Sequence, residues 1–210
     1  VLIIAMDKYG NKSSKTIQLK RAAVKLAENI FDTLDPTIIK SKINPSSVAI
    51  IIGIEDYQNT FAAPFAKNDA LAFNDFVNTS LGVPKQNIML LTDNQAGRVK
   101  TLKTIKQWLP KIVKENETDV YIFFSGHGLA SEDGEDLYLL PSDGDPDLLE
   151  DSTLLRNQIF NRIAKLNPKS VTVFLDTCYS GATRTEEFLV AAKPIFIEAV
   201  EQDIPSKFTV

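Results

Sequence analysis

The sequence has 210 residues, 44% of them hydrophobic and 24% charged, with a formal net charge of −4. Such a composition suits a globular chain with one sizeable core plus an appendage, and its negative balance gives no electrostatic case for nucleic acid. One cysteine excludes an internal disulfide, and the longest apolar stretch, around Val48 to Ile54, is far too short to span a bilayer.

The chain opens on Val1 in mid-strand and reads as a piece cut from something longer, so the absence of a targeting segment is uninformative. Residues 1–6 and 16–20 are strand-like on either side of the turn-rich 7–11, which predicts a hairpin. A hairpin alone buries too little to be stable, so 1–20 is expected to end an upstream β-domain. Its wording Asp7-Lys-Tyr-Gly-Asn-Lys-Ser13 is similar to the closing strands of bacterial immunoglobulin-like repeats. Helical periodicity follows over 21–31, and 32–47, with Pro36 and Pro45, reads as the connector completing a 21–47 segment.

From residue 48 the pattern alternates strand and helix: strands at 48–54, 87–92, 120–125 and 171–176, helices near 66–80, 99–114, 151–166 and 186–200. That predicts an α/β fold, a doubly wound, mostly parallel sheet flanked by helices. A small hairpin is expected between Gly128 and 137–140, and 207–210 starts like another strand. Lys100, Lys103, Lys106, Lys111 and Lys114 are expected to form a solvated face opposite Val99, Leu102, Ile105 and Leu109.

The only histidine and the only cysteine each close a hydrophobic run, Asp119-Val-Tyr-Ile-Phe-Phe-Ser-Gly-His127-Gly128 and Ser170-Val-Thr-Val-Phe-Leu-Asp-Thr-Cys178-Tyr-Ser-Gly181. Runs that are apolar throughout suit strands buried on both faces of a parallel sheet. Both residues therefore sit at strand ends, where open α/β sheets gather ligands, beside glycines that let backbone approach a substrate. A thiol is mostly protonated at neutral pH and needs a nearby imidazole to become a nucleophile. No Gly-x-Ser-x-Gly elbow or Gly-x-Gly-x-x-Gly follows a strand, which argues against an α/β hydrolase or a dinucleotide-binding enzyme.

These residues, with Ile50-Ile-Ile-Gly-Ile54, Tyr121-Ile-Phe-Phe-Ser-Gly-His-Gly128 and Phe174-Leu-Asp-Thr-Cys-Tyr-Ser-Gly181, resemble the caspase-type cysteine peptidases, in particular the bacterial-type metacaspase and paracaspase branch. A histidine about 50 residues before the cysteine is a known mark of that group; here the interval is 178 − 127 = 51. The resemblance covers residues 48–210, read as a catalytic domain whose C-terminal part, a further strand-forming portion, lies outside this sequence or in a second chain.

The resemblance implies a cysteine endopeptidase acting on protein or peptide substrates through Cys178 and His127, with the oxyanion held by the backbone N–H groups of Gly128 and Cys178. It implies an acidic pocket built from Asp69 and Asp176, with Ser125 adding a hydroxyl, and hence cleavage after Arg or Lys. Arg184, in the polar Gly181-Ala-Thr-Arg184 segment, is expected to be a self-processing site, with Lys40 and Lys42 in the connector as a second. Many relatives are calcium-activated, but Glu132, Asp133, Glu135, Asp136, Asp143, Asp145 and Asp147 are expected to form a solvated acidic loop, and no resident cofactor or metal is expected. The rival reading is a catalytically silent interaction or scaffold module of the same fold.

Overall fold

The computed structural model describes residues 2–6, 12–16, 39–177 and 204–210. The chain divides into two units, Val1–Leu34 and Asp35–Val210. In the first, β1 (Leu2–Met6) and β2 (Lys12–Thr16) pair antiparallel from Leu2↔Thr16 to Met6↔Lys12. The second strand therefore begins four positions before the expected 16–20, since the register pairs Met6 with Lys12. The helices expected over 21–31 and 186–200 lie outside the described residues.

The second unit is built on five strands, β3 (Ser47–Gly53), β4 (Ile88–Thr92), β5 (Asp119–Ser125), β9 (Ser170–Asp176) and β10 (Phe208–Thr209), in the order β10-β9-β5-β3-β4. Every pairing among them is parallel. All seven residues of β3 are buried, which is why its sequence reads as unbroken Val-Ala-Ile-Ile-Ile rather than as alternation. Val48, Ile50 and Ile52 pack with Ile105, Leu109, Phe160 and Ile163 on one face, whereas Ala49 and Ile51 pack with Ala70 and Val77 of α1 (Ala66–Thr79) on the other. Helices thus cover both faces, and each buried isoleucine contributes on the order of 1.5–3 kcal/mol of transfer free energy. No described helix is long and apolar enough to cross a membrane.

A second, three-stranded sheet joins β6 (Gly128–Ala130) to β7 (Leu137–Leu139), the hairpin expected after the histidine, and β7 to β8 (Leu154–Leu155). β8 falls inside the span predicted as one helix, which is instead divided into α3 (Leu149–Ser152), β8 and α4 (Arg156–Ala164). Leu154 and Leu155 pair with Leu139 and Tyr138, so β7 gains a partner for its buried edge and tertiary pairing overrides local periodicity.

The helix predicted over 99–114 is regular only as α2 (Arg98–Lys103); a wider turn spans Thr104–Trp108 and a tight one Leu109–Lys111. Pro110 explains the change, since it cannot donate to residue 106 and its ring crowds that carbonyl. The five lysines are exposed as expected, but Val99 is 62% exposed and belongs to their side; Thr101, Thr104, Ile105 and Leu109 line the buried face.

Candidate active site

Parallel registration sets Gly53 opposite Ser125 and Ser125 opposite Asp176, so β3, β5 and β9 end at one level. Gly53 lets α1 close on that level: a Cβ there would stand 2.4 Å from Ala70 Cβ and 2.5 Å from the Ala66 carbonyl oxygen. The first turn of α1 consequently carries Asp69 over the strand ends. Ser125, fully buried, donates its hydroxyl hydrogen to Asp176 Oδ2 at 3.1 Å, and its Oγ lies 3.5 Å from Asp69 Oδ2. Three residues expected to share a pocket are thus brought together from a helix and two strands. Two carboxylates around one neutral hydroxyl form a locally negative site, which a cationic side chain complements.

His127, two residues past Ser125, is 4% exposed. Its backbone N–H donates to the Tyr57 hydroxyl oxygen at 2.8 Å, and its ring lies against that of Tyr57 with centroids 4.8 Å apart. Imidazole Nε2 lies 3.0 Å from the carbonyl oxygen of Phe61. A carbonyl only accepts, so Nε2 carries the hydrogen and Nδ1 is the nitrogen able to take up and return a proton. Tyr57 and Phe61 both belong to the segment between β3 and α1.

Gly126 makes this arrangement possible. Its φ is 155°, and a Cβ there would lie 2.5 Å from the Tyr57 hydroxyl oxygen. Gly126→Ala is expected to displace Tyr57 from the His127 amide and to lower stability by about 1–3 kcal/mol. A denaturant titration of the variant measures that loss, and an unchanged midpoint would show that the contact relaxes freely.

The Leu140 N–H donates to the His127 carbonyl at 3.0 Å. Antiparallel ladders alternate bonded and non-bonded pairs, so Gly128, opposite Leu139, turns its N–H away from β7. Cys178, Gly181 and Arg184 lie outside the described residues, which break off after Thr177 and resume at Ile204. In sequence, Cys178 follows Asp176 by the same two positions by which His127 follows Ser125.

A family model of the caspase domain, of peptidase type C14, matches residues 46–207. The chain belongs to that family. This caspase domain is 24% identical over 189 residues to a metacaspase-1 of Meyerozyma guilliermondii, an alignment that covers 83% of this chain and 45% of the relative. It is 26% identical over 173 residues to a metacaspase-1 of Eremothecium gossypii, covering 75% of this chain and 37% of the relative. The chain therefore spans less than half the length of these two curated relatives. Among solved structures, protein GSU0716 of Geobacter sulfurreducens superposes with a TM-score of 0.50 at 19% identity, covering 66% of this chain and 52% of that one, and shares the fold.

Within the caspase domain, Tyr57 and the Phe61 carbonyl were not anticipated from sequence. The Tyr57 hydroxyl acts from a loop without periodicity, and a backbone carbonyl leaves no residue signature. The acidic residues Glu132, Asp133, Glu135, Asp136, Asp143 and Asp147 are exposed and Asp145 is half-buried. Asp133 accepts from Ser131 and the Glu135 amide, Asp143 from the Arg98 amide, and Asp145 from the Asp147 amide. Among the described residues no three of His, Cys, Asp and Glu form a metal-binding group. Lys40 and Lys42 are exposed, yet their backbone is held rather than loose: the Ser41 and Asn44 amides donate to the Thr79 and Gly82 carbonyls at 2.9 and 2.8 Å.

Proposed function

We propose that this caspase domain is a cysteine endopeptidase that cleaves after Arg or Lys, with Cys178 as nucleophile and His127 as its acid–base partner. The observation that carries the reading is the meeting of Asp69 and Asp176 at Ser125, two residues before His127. In this reading Nδ1 of His127 takes the Cys178 thiol proton, and the thiolate forms a C–S bond with the scissile carbonyl carbon. The Gly128 and Cys178 N–H groups hold the resulting oxyanion. On collapse the C–N bond breaks, the Nδ1 proton passes to the leaving amine, and water then hydrolyses the thioester. The Phe61 carbonyl, already bonded to Nε2, favours the imidazolium formed between these steps.

The substrate is a protein or peptide with a basic residue before the cleaved bond, its guanidinium or ammonium held by the two carboxylates. The remaining C-terminal portion of the catalytic domain is a proposed partner. Arg184, which follows Cys178 by 184 − 178 = 6 positions, is the proposed self-cleavage site.

The test is labelling with a peptidyl electrophile ending in Arg, with an Asp-ending analogue as control, read by mass spectrometry. Adduct on Cys178 from the Arg reagent alone is expected, together with new chain ends after Arg184 in wild type but not in Cys178→Ala. Preference for the Asp reagent overturns the specificity, and no adduct from either overturns the peptidase reading.

A further inference from the structure

The carboxylate that ties the two halves of the site together is not in the site. Asp93, just past β4, is 9% exposed and has φ 43°, a left-handed conformation uncommon for a residue with a side chain. Its Oδ1 accepts from the backbone N–H groups of Glu55 at 3.0 Å and Asp56 at 3.2 Å, the two residues before Tyr57. Its Oδ2 pairs with Lys67 Nζ at 2.7 Å, and Lys67 stands in the first turn of α1, two residues before Asp69. One arm therefore fixes the stretch that delivers Tyr57 to the His127 amide and ring, and the other fixes the turn that carries Asp69 over Ser125.

Burial pushes the Asp93 carboxyl up, but the Lys67 ammonium and the two amides more than offset this and hold it below the ordinary carboxylate value. The group is therefore ionised at neutral pH. Only an ionised carboxylate can accept two amides on one oxygen and an ammonium on the other, since an asparagine would turn an NH2 toward Lys67.

We propose that Asp93 is a positioning residue that sets the His127 imidazole through Glu55, Asp56 and Tyr57 and sets the Asp69 carboxylate through Lys67. The proposal rests on the peptidase reading, and of its readouts the His127 resonances alone need no activity.

His127 is the only histidine in the chain, so its imidazole resonances can be read without assignment in labelled full-length protein. Asp93→Ala, which loses both arms, is expected to shift those resonances and to lower kcat on an Arg peptide about tenfold or more, since small misplacements of reacting groups are costly. Asp93→Asn, which keeps the amide acceptor, and Lys67→Met, which keeps the carboxylate, are expected to leave the resonances near wild type. Both should raise KM for the Arg peptide about tenfold with kcat little changed. A purely structural role would lower stability while leaving kcat, KM and resonances of the folded protein as in wild type, and that result overturns the proposal. Where Asp93→Ala does not fold, unchanged KM in both of the other variants does the same. A wild type with no peptidase activity refutes the function instead, while the imidazole comparison between folded variants still decides the positioning.

Discussion

Replacing either Cys178 or His127 with alanine is expected to reduce cleavage of an Arg peptide by at least about 10³-fold. The thiol without its base stays protonated, and the base without the thiol has nothing to activate. In the proposed mechanism the two act as one unit, so the double variant is expected to be no slower than the worse single one. The Cys178 change should leave the fold intact. The His127 change removes a buried ring from the face of Tyr57 and the donor from the Phe61 carbonyl, so it also loses stability and must be assayed well below its melting temperature. Purified variants, checked by circular dichroism and assayed on a fluorogenic peptide, settle the matter: wild-type turnover by Cys178→Ala would sink the peptidase assignment.

Removing either pocket carboxylate should be nearly as damaging. Asp69→Ala or Asp176→Ala leaves a bound Arg or Lys without one charged partner, a loss of about 2–4 kcal/mol and hence tens- to hundreds-fold in kcat/KM. Asp176→Ala also strips Ser125 of the acceptor at 3.1 Å, so Ser125→Ala is the control that separates loss of charge from loss of that bond. The serine variant should retain a preference for Arg over uncharged residues, whereas the carboxylate variants should blunt it. A wild type that selects an acidic residue at this position would overturn the pocket.

What could be read from the sequence follows from where the physics is local. Strand β3 is buried throughout and β5 over most of its length, so their positions are mostly apolar, and polar residues or glycine mark their ends; β9, half covered, is apolar only in part. Ser125 and Asp176 end β5 and β9 and His127 follows two residues on, whereas Asp69 comes from the first turn of α1, its Oδ2 3.5 Å from Ser125 Oγ. The unbroken helices expected over 99–114 and 151–166 fail for different reasons: Pro110 interrupts the first locally, and a long-range partner, β7, captures Leu154 and Leu155 from the second. Tyr57 and Asp93 escaped notice for a third reason. Each acts by hydrogen bonds to main-chain groups of other segments, and main-chain groups are the same in every sequence.

The shared level of Gly53, Ser125 and Asp176 also governs where this chain can change length. Each strand is locked to its neighbour residue by residue from Ser47, Asp119 and Ser170 onward. Deleting one residue inside β9 would move Asp176 one step along the ladder and turn its carboxylate to the opposite face of the sheet, away from Ser125 and Asp69. Deleting one in the connection over 131–136 would leave that ladder untouched. Homologous chains should therefore differ freely in the length of their loops while the three strands keep theirs, and an insertion tolerated inside β9 would mean that the pocket is not read from this edge.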